Sequence, residues 1–400
     1  MNQHVVIIGH GFTSRLALIR SLAELGCEIT VIVMVFHDRL GRLLHFEGGR
    51  PVDCCSRYIS GFLYCAGQKE EALIELILSK CVRFGQKTIL IPDSDFSAAA
   101  IDRHQERLRE HFLFPHIHHT PGAVEHWMHK TVQKALAAEL GLNVTRGCTV
   151  QVRGGAYEMP AEVRYPCFTK PLATISGGKG FLRRCDDEAA LRRVLDGVAQ
   201  KFPDTDVLVE DFKPIDTEYA VVGFSDGENV VMPGIIEFIA NSKSHFGIAR
   251  EGKIRPVAGF EAVLAQFADF VRRVGFFGLF DIDFYESGGA MYFGEMNFRF
   301  GGSGYAYTAM GANLPVRYVY ALRGESCETQ AVTGTATFVN ERMAVEDWNF
   351  LYLTEEEMRA VNSRADIRFV YDERDPAPGR ALERHIRQLR VKRTIRKRLC

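Results

Sequence analysis

In Phe280-Asp281-Ile282-Asp283-Phe284 two acids alternate with three apolar residues. An extended strand therefore puts Asp281 and Asp283 on one face and Phe280, Ile282 and Phe284 on the other. Met291–Asn297 alternates in the same way and aligns Glu295 with Asn297. If Gly288-Gly289-Ala290 closes a three-residue hairpin loop, Asp283 falls directly opposite Glu295. Two carboxylates and an amide oxygen then converge, the hard donors that hold Mg2+ jointly with substrate phosphates. The solvated face of a half-exposed hairpin would carry the same letters. Upstream, Phe168-Thr169-Lys170-Pro171 precedes Ser176-Gly177-Gly178-Lys179-Gly180. An ammonium at a strand end followed by flexible backbone N–H donors can surround a polyphosphate. The spacing is not that of a GxxxxGK[ST] loop, and a glycine-rich hairpin turn reads alike. Val209-Glu210-Asp211-Phe212, with Glu218 shortly after, is an apolar strand running into acids. It offers backbone groups to an adenine and a carboxylate to a ribose, or it is an ordinary exposed strand end.

Such residues need a scaffold. Val5–Ile8, the turn Gly9-His10-Gly11, a helical face of Leu16, Ile19, Leu22 and Ala23, and the strand Ile29–Val33 form a strand–helix–strand unit. A helix through Ile74, Ile77, Leu78 and Cys81 and a strand Thr88–Ile91, ending in Pro92-Asp93-Ser94-Asp95, extend it. Residues 1–115 are thus expected to form a Rossmann-like α/β domain. The Gly9–Gly11 turn lacks the third glycine and the acidic strand end of a dinucleotide fingerprint. Its N–H groups are read as an anion site at a helix N-terminus or as a plain tight turn. Pro115–Pro121 connects, and His116, His118, His119, His126 and His129 around it are expected to be a solvated linker, not a metal site, since no ligand spacing supports one. A helix around Lys130–Leu140 opens an α+β part, residues 116–330, with a subdomain at about 145–215. Residues 331–383 form a C-terminal segment and 384–400 a basic tail.

The order of these signals resembles the ATP-grasp superfamily. Glu295-Met296-Asn297-Phe298-Arg299-Phe300-Gly301-Gly302 is similar to its E-x-N-x-R-x-G-G segment. The first domain is similar to the domain preceding the grasp in its carboxylate–amine ligases, related to D-aspartate ligase and carbamoyl-phosphate synthetase. The resemblance implies that Lys130 and Lys170 contact ATP phosphates and that Ser176, Gly177, Gly178 and Gly180 close over them. It implies that Glu210, Asp211 and Phe212 meet adenine, that Glu218 meets ribose, and that Asp283, Glu295 and Asn297 bind two Mg2+ (or Mn2+). Arg299, with Lys170, would act on the transferred phosphoryl group or a developing oxyanion. D-alanine ligases carry an arginine where this chain has Asp281, which leaves oxyanion stabilisation to Arg299 or another base. The implied reaction is ATP-dependent amide formation through an acyl phosphate. The alternatives are activation of a small acid without an amino-acid acceptor, and a regulatory ATP-binding protein without turnover.

Four hundred residues, 46% of them hydrophobic, suffice for two or three domains. Ten cysteines without a CxxC pair read as reduced thiols of a cytoplasmic protein. The net charge of −1 argues against a nucleic-acid partner and hides an asymmetry. Arg384–Cys400 holds eight basic residues and no acid, so the preceding 383 carry −9. That tail is read as a peripheral contact with anionic lipid, as a helix packed on the protein's own acids, or as disorder. The expected partners are a small acid and an amine, with a homodimer as the compatible assembly. Lys243, His245 and Arg250 offer charge for the acid or plain surface charge.

Overall fold

The structure is a computed structural model that describes residues 3–35, 50–67, 69–172, 181–245 and 247–399. The chain opens with five strands, β1 (His4–Gly9), β2 (Glu28–Val35), β3 (Ile59–Ala66), β4 (Thr88–Pro92) and β5 (Phe112–Leu113). They form one parallel sheet in the order β3-β2-β1-β4-β5. Val5–Ile8 are fully buried, as expected of a parallel strand covered on both faces. The Thr13–Ala23 helix is buried nearly all round rather than on one stripe, because it packs against the sheet and against later parts of the chain. Its Arg20 is buried too, and donates to the carbonyls of Phe369 and Val370, each at 2.8 Å, and to Asp375 Oδ2 at 3.1 Å.

β6 (His116–Ile117) follows, then a small antiparallel sheet of β7 (Gly147–Arg153), β8 (Ala156–Tyr157), β9 (Cys167–Pro171), β10 (Arg183–Cys185) and β11 (Thr205–Asp211). Its order is β10-β9-β11-β7-β8. The Glu188–Lys201 helix covers it with Leu191, Leu195 and Val198, and Asp187 caps that helix by accepting the Ala190 N–H at 2.7 Å. The largest sheet holds β12 (Thr217–Asp226), β13 (Val230–Val231), β14 (Ile235–Asn241), β15 (Ala249–Arg255), β16 (Phe276–Ser287), β17 (Ala290–Asn297), β18 (Ala336–Val339) and β19 (Ile367–Arg368). Its order is β17-β16-β12-β14-β15-β18-β19, with β13 on β12 and β6 on β16. The Glu261–Val274 helix packs Phe267, Phe270 and Val271 beneath it and ends at Gly275, whose φ of 71° suits only glycine there. The connector histidines are therefore not a solvated linker throughout. His116 pairs with Phe277 in the sheet and stacks on its ring, and burial pulls its imidazole down to about 4.

Residues 331–383, set apart in the sequence, supply β18 and β19 to that same sheet. Glu341 accepts the N–H groups of Phe369, Val370 and Tyr371 at 2.8–3.0 Å, and Asp347 gathers Ser242, Ser244 and Arg250. Arg250 also pairs with Glu251 and is thus committed to structure. The basic tail begins within the Pro376–Leu399 helix, where Ile386 and Leu389 join the core and Arg390 pairs with Glu355. Among the described residues no helix is long and apolar enough to cross a membrane.

Candidate active site

The β16–β17 hairpin sets the register. Asp283 stands opposite Glu295, and Asp281 opposite Asn297. The turn, however, is not the three-residue loop anticipated. Ser287 pairs with Ala290 across Gly288-Gly289, whose φ values of 58° and 78° favour glycine. A bulge between Phe284–Phe293 and Asp283–Glu295 adds the missing residue, Gly294, and brings the acids back into line. A Cβ on Gly294 would lie 2.7 Å from the Asp283 carbonyl oxygen, so the bulge closes only on glycine.

The Lys130–Glu139 helix is fixed on this hairpin by Gln133. Its side chain accepts the Met296 N–H at 2.7 Å and donates to the Met296 carbonyl at 2.9 Å, between Glu295 and Asn297. Lys130 thereby meets Glu295, and one turn later Lys134 meets Glu210. Lys170 reaches the other Glu210 oxygen at 2.8 Å. Sequence reasoning had Lys130, Lys170 and Glu210 but missed Gln133 and Lys134. The i, i+4 spacing of Lys130 and Lys134 was the available signal.

Arg299 connects the site to the N-terminal sheet. Its Nε donates to Asp95 Oδ1 at 3.0 Å and its Nη2 reaches Asn297 Oδ1 at 3.5 Å. Asp95 opens the Asp95–Arg103 helix, which Ser94 and Ser97 close in a capping box. The Gly9–Gly11 turn lies alongside, but the Gly11 N–H donates to Asp93 Oδ1 at 2.9 Å. That donor is spent within the fold, and the turn reads as structural. Buried Arg15 completes the lock, pairing with Asp53 and with Asp93.

Of the nucleotide residues expected from sequence, Glu210 is turned toward two lysines. Asp211 and Phe212 donate their N–H groups at 2.9 Å to Arg146 and Pro166 carbonyls, so those donors do not face a base. Phe212 carries Arg184 over its ring at 4.4 Å. Glu218 contacts Asn241 and lies within electrostatic reach of both Lys170 and Asp283. Ser176, Gly177, Gly178 and Gly180 lie outside the described residues.

Burial pushes the Asp283 carboxyl up to about 6, while Arg299 and Lys130 pull it back. Asp281 is raised further by burial and by Asp283, and its Oδ1 is buried without a hydrogen-bond partner among the described residues. Burial pulls Lys170 down to about 8 against the pull of Glu218. Such opposed shifts cluster where charge is to be handled. The donor set of Asp283, Glu295 and Asn297 is all oxygen and suits a hard cation. Among the described residues no three His, Cys, Asp or Glu side chains converge as a ligand set. A cation here would therefore take the Asn297 amide and substrate oxygens beside two carboxylates.

No protein-family model matches the chain. An L-amino acid ligase from Bacillus licheniformis superposes with a TM-score of 0.58 at 18% identity, over 84% of this chain and 79% of that one. The biotin carboxylase domain of a Hydrogenobacter thermophilus 2-oxoglutarate carboxylase, in complex with MgADP, ADP and bicarbonate, gives 0.62 at 16%, over 84% and 74%. N5-carboxyaminoimidazole synthetase from Staphylococcus aureus, complexed with ADP, gives 0.62 at 15%, over 90% and 87%. By sequence, the carbamoyl phosphate synthase large chain of Halobacterium salinarum is 36% identical over 93 residues, 23% of this chain and 9% of that protein. The corresponding Gemmatimonas aurantiaca chain is 24% identical over 211 residues, 52% of this chain and 19% of that one. The chain thus spans less than a fifth of the length of these two curated relatives. The likeness to ATP-grasp carboxylate–amine ligases, read first from Glu295–Gly302, holds at the level of the fold.

Proposed function

We propose that this chain, with the fold of the ATP-grasp ligases, joins a small carboxylic acid to an amine at the expense of ATP, releasing ADP and phosphate. The observation that carries the reading is the convergence on one hairpin face of Asp283, Glu295 and Asn297, with Lys130 and Arg299 beside them. Asp283, Glu295 and Asn297 would hold Mg2+, which supplies charge neutralisation for phosphoryl transfer. Lys130 and Lys170 bind the phosphates and orient the γ-phosphoryl group toward the acid. Arg299, held by Asp95 and Asn297, presents its guanidinium to the acid and then to the oxyanion formed when the amine attacks the acyl phosphate. Asp281 occupies the place where an arginine stands in D-alanine ligases, so the oxyanion's cation comes from Arg299. The N-terminal sheet, reaching the site through Asp95, is read as a Rossmann-like domain that closes the acid's side of the cleft.

The test is ADP release with Mg-ATP across a panel of amino acids and small acids, each alone and in pairs. Release that requires both an acid and an amine supports the ligase. Release with a single acid and no amine would instead support activation of a small acid, the reading suggested by the carbamoyl phosphate synthase relatives. Millimolar Mg-ATP should raise the melting temperature, and chelating the metal should remove most of the gain, because a ligand that binds only the folded state stabilises it. An unchanged melting curve at saturating nucleotide would count against nucleotide binding.

The Lys170 ammonium also gives a pH prediction. Below about 8 it is a cation, and above that value it is increasingly neutral. Nucleotide affinity should therefore weaken as pH rises from 7 to 9, and Lys170→Arg, charged throughout, should weaken less. Titrating Mg-ADP at several pH values checks this. Equal pH slopes for the two proteins would assign the effect to another group.

A further inference from the structure

One carboxylate serves two lysine side chains in this site. The Glu210 side chain is 2% exposed, with Lys134 on one oxygen and Lys170 at 2.8 Å on the other. The two lysines are held very differently. Lys134 projects from the helix that Gln133 fixes to β17, its side chain is 11% exposed, and its Nζ lies 3.3 Å from Thr145 Oγ1. Thr145 is tied in turn to Tyr285 of β16 at 3.2 Å. Lys170 is the penultimate residue of β9, its side chain is 29% exposed, and in sequence it shortly precedes the glycine segment.

A buried carboxylate stripped of its cation costs far more than one that keeps a partner. A phosphate group can draw Lys170 away from Glu210 only if another cation takes up the Glu210 charge; burial and the neighbouring charges of Lys170 and Lys130 pull Lys134 down to about 6, so the departure of Lys170 favours its protonation. We infer that Lys134 is the positioning residue that releases Lys170 to the nucleotide, by holding the Glu210 charge when Lys170 leaves. Without Lys134, Glu210 and the phosphates compete for the same ammonium. The inference rests on the reading that Lys170 binds ATP phosphates.

The experiment measures the dissociation constant of Mg-ATP for the full chain and five variants. Lys134→Met should weaken binding about tenfold, the scale of one charge-assisted hydrogen bond, and Lys134→Arg should restore most of it. Lys170→Ala should weaken binding too. Because Lys134 acts through Lys170, the double variant Lys134→Met/Lys170→Ala should bind within about twofold of Lys170→Ala alone. A general packing role for Lys134 would make the two losses add, and additivity overturns the inference. Should Lys134→Met fail to fold, Glu210→Gln decides. Removing the competing charge should leave Mg-ATP binding unchanged or tighter, and a tenfold loss overturns the inference. Wild-type protein that binds no Mg-ATP overturns the nucleotide reading and this inference together. Binding by the wild type with additive losses overturns this inference alone.

Discussion

Glu295→Gln is expected to lower ATP turnover by about a hundredfold or more, the scale of losing one preorganised electrostatic group. Glutamine keeps the volume and the polarity of the side chain but removes the charge that faces both Asp283 and Lys130. Phosphoryl transfer relies on neutralising charge between the attacking and leaving oxygens, so the loss should fall mainly on the transition state. Nucleotide affinity should suffer less, because Lys170 and the remaining carboxylate still engage it. The circular dichroism spectrum should match wild type. Initial rates of ADP release at saturating ATP make the measurement. A rate near wild type would mean that the hairpin face is polar surface and that the metal assignment is mistaken.

The second large effect comes from a residue without a side chain. Gly294→Val forces a Cβ to within 2.7 Å of the Asp283 carbonyl oxygen, a distance that backbone movement must relieve. That movement shifts Asp283 relative to Glu295, and displacing reacting groups by about 1 Å costs on the order of a hundredfold in rate. Turnover should therefore collapse while the sheet remains. Gly288→Ala is the contrast. Its φ of 58° is strained for alanine by about 1 kcal/mol, yet open space surrounds it and the strain lies at the far end of the hairpin. It should cost some stability and almost no activity. Equal losses of turnover in the two variants would show that the bulge does not position the carboxylates.

The placing of Asp283 opposite Glu295, with Asn297 two residues on, was readable from the sequence because strand alternation and glycine punctuation act within a few residues of one another. The register was correct at the acids although the turn was misread, since the bulge at Gly294 restores the residue that the shorter turn omits. Nothing in local alternation distinguishes one long loop from a tight turn plus a bulge. Lys134 was passed over because its meaning depends on Glu210, which only the docking of the helix on β17 brings near. The N–H groups of Gly11 and Phe212 looked available because sequence does not show which carbonyl or carboxylate already takes them. His116 was misjudged for a related reason. A polar run reads as solvated until a distant strand end, here Phe277, pairs with it.

The buried Arg20 has a consequence for how the chain is made. Its carbonyl partner Phe369 lies 349 residues downstream, and Asp375 lies 355 downstream. At ribosomal rates of about 5–20 residues per second, that stretch takes roughly 17–70 s to synthesise. Throughout that interval the guanidinium at the heart of the first helix lacks these partners, so the N-terminal sheet can collapse early but cannot complete its packing. Maturation of the sheet that this helix covers therefore waits on the stretch that carries Phe369, Val370 and Asp375. Nascent chains stalled before residue 369 should be digested by protease within the first hundred residues, whereas chains released after residue 390 should resist.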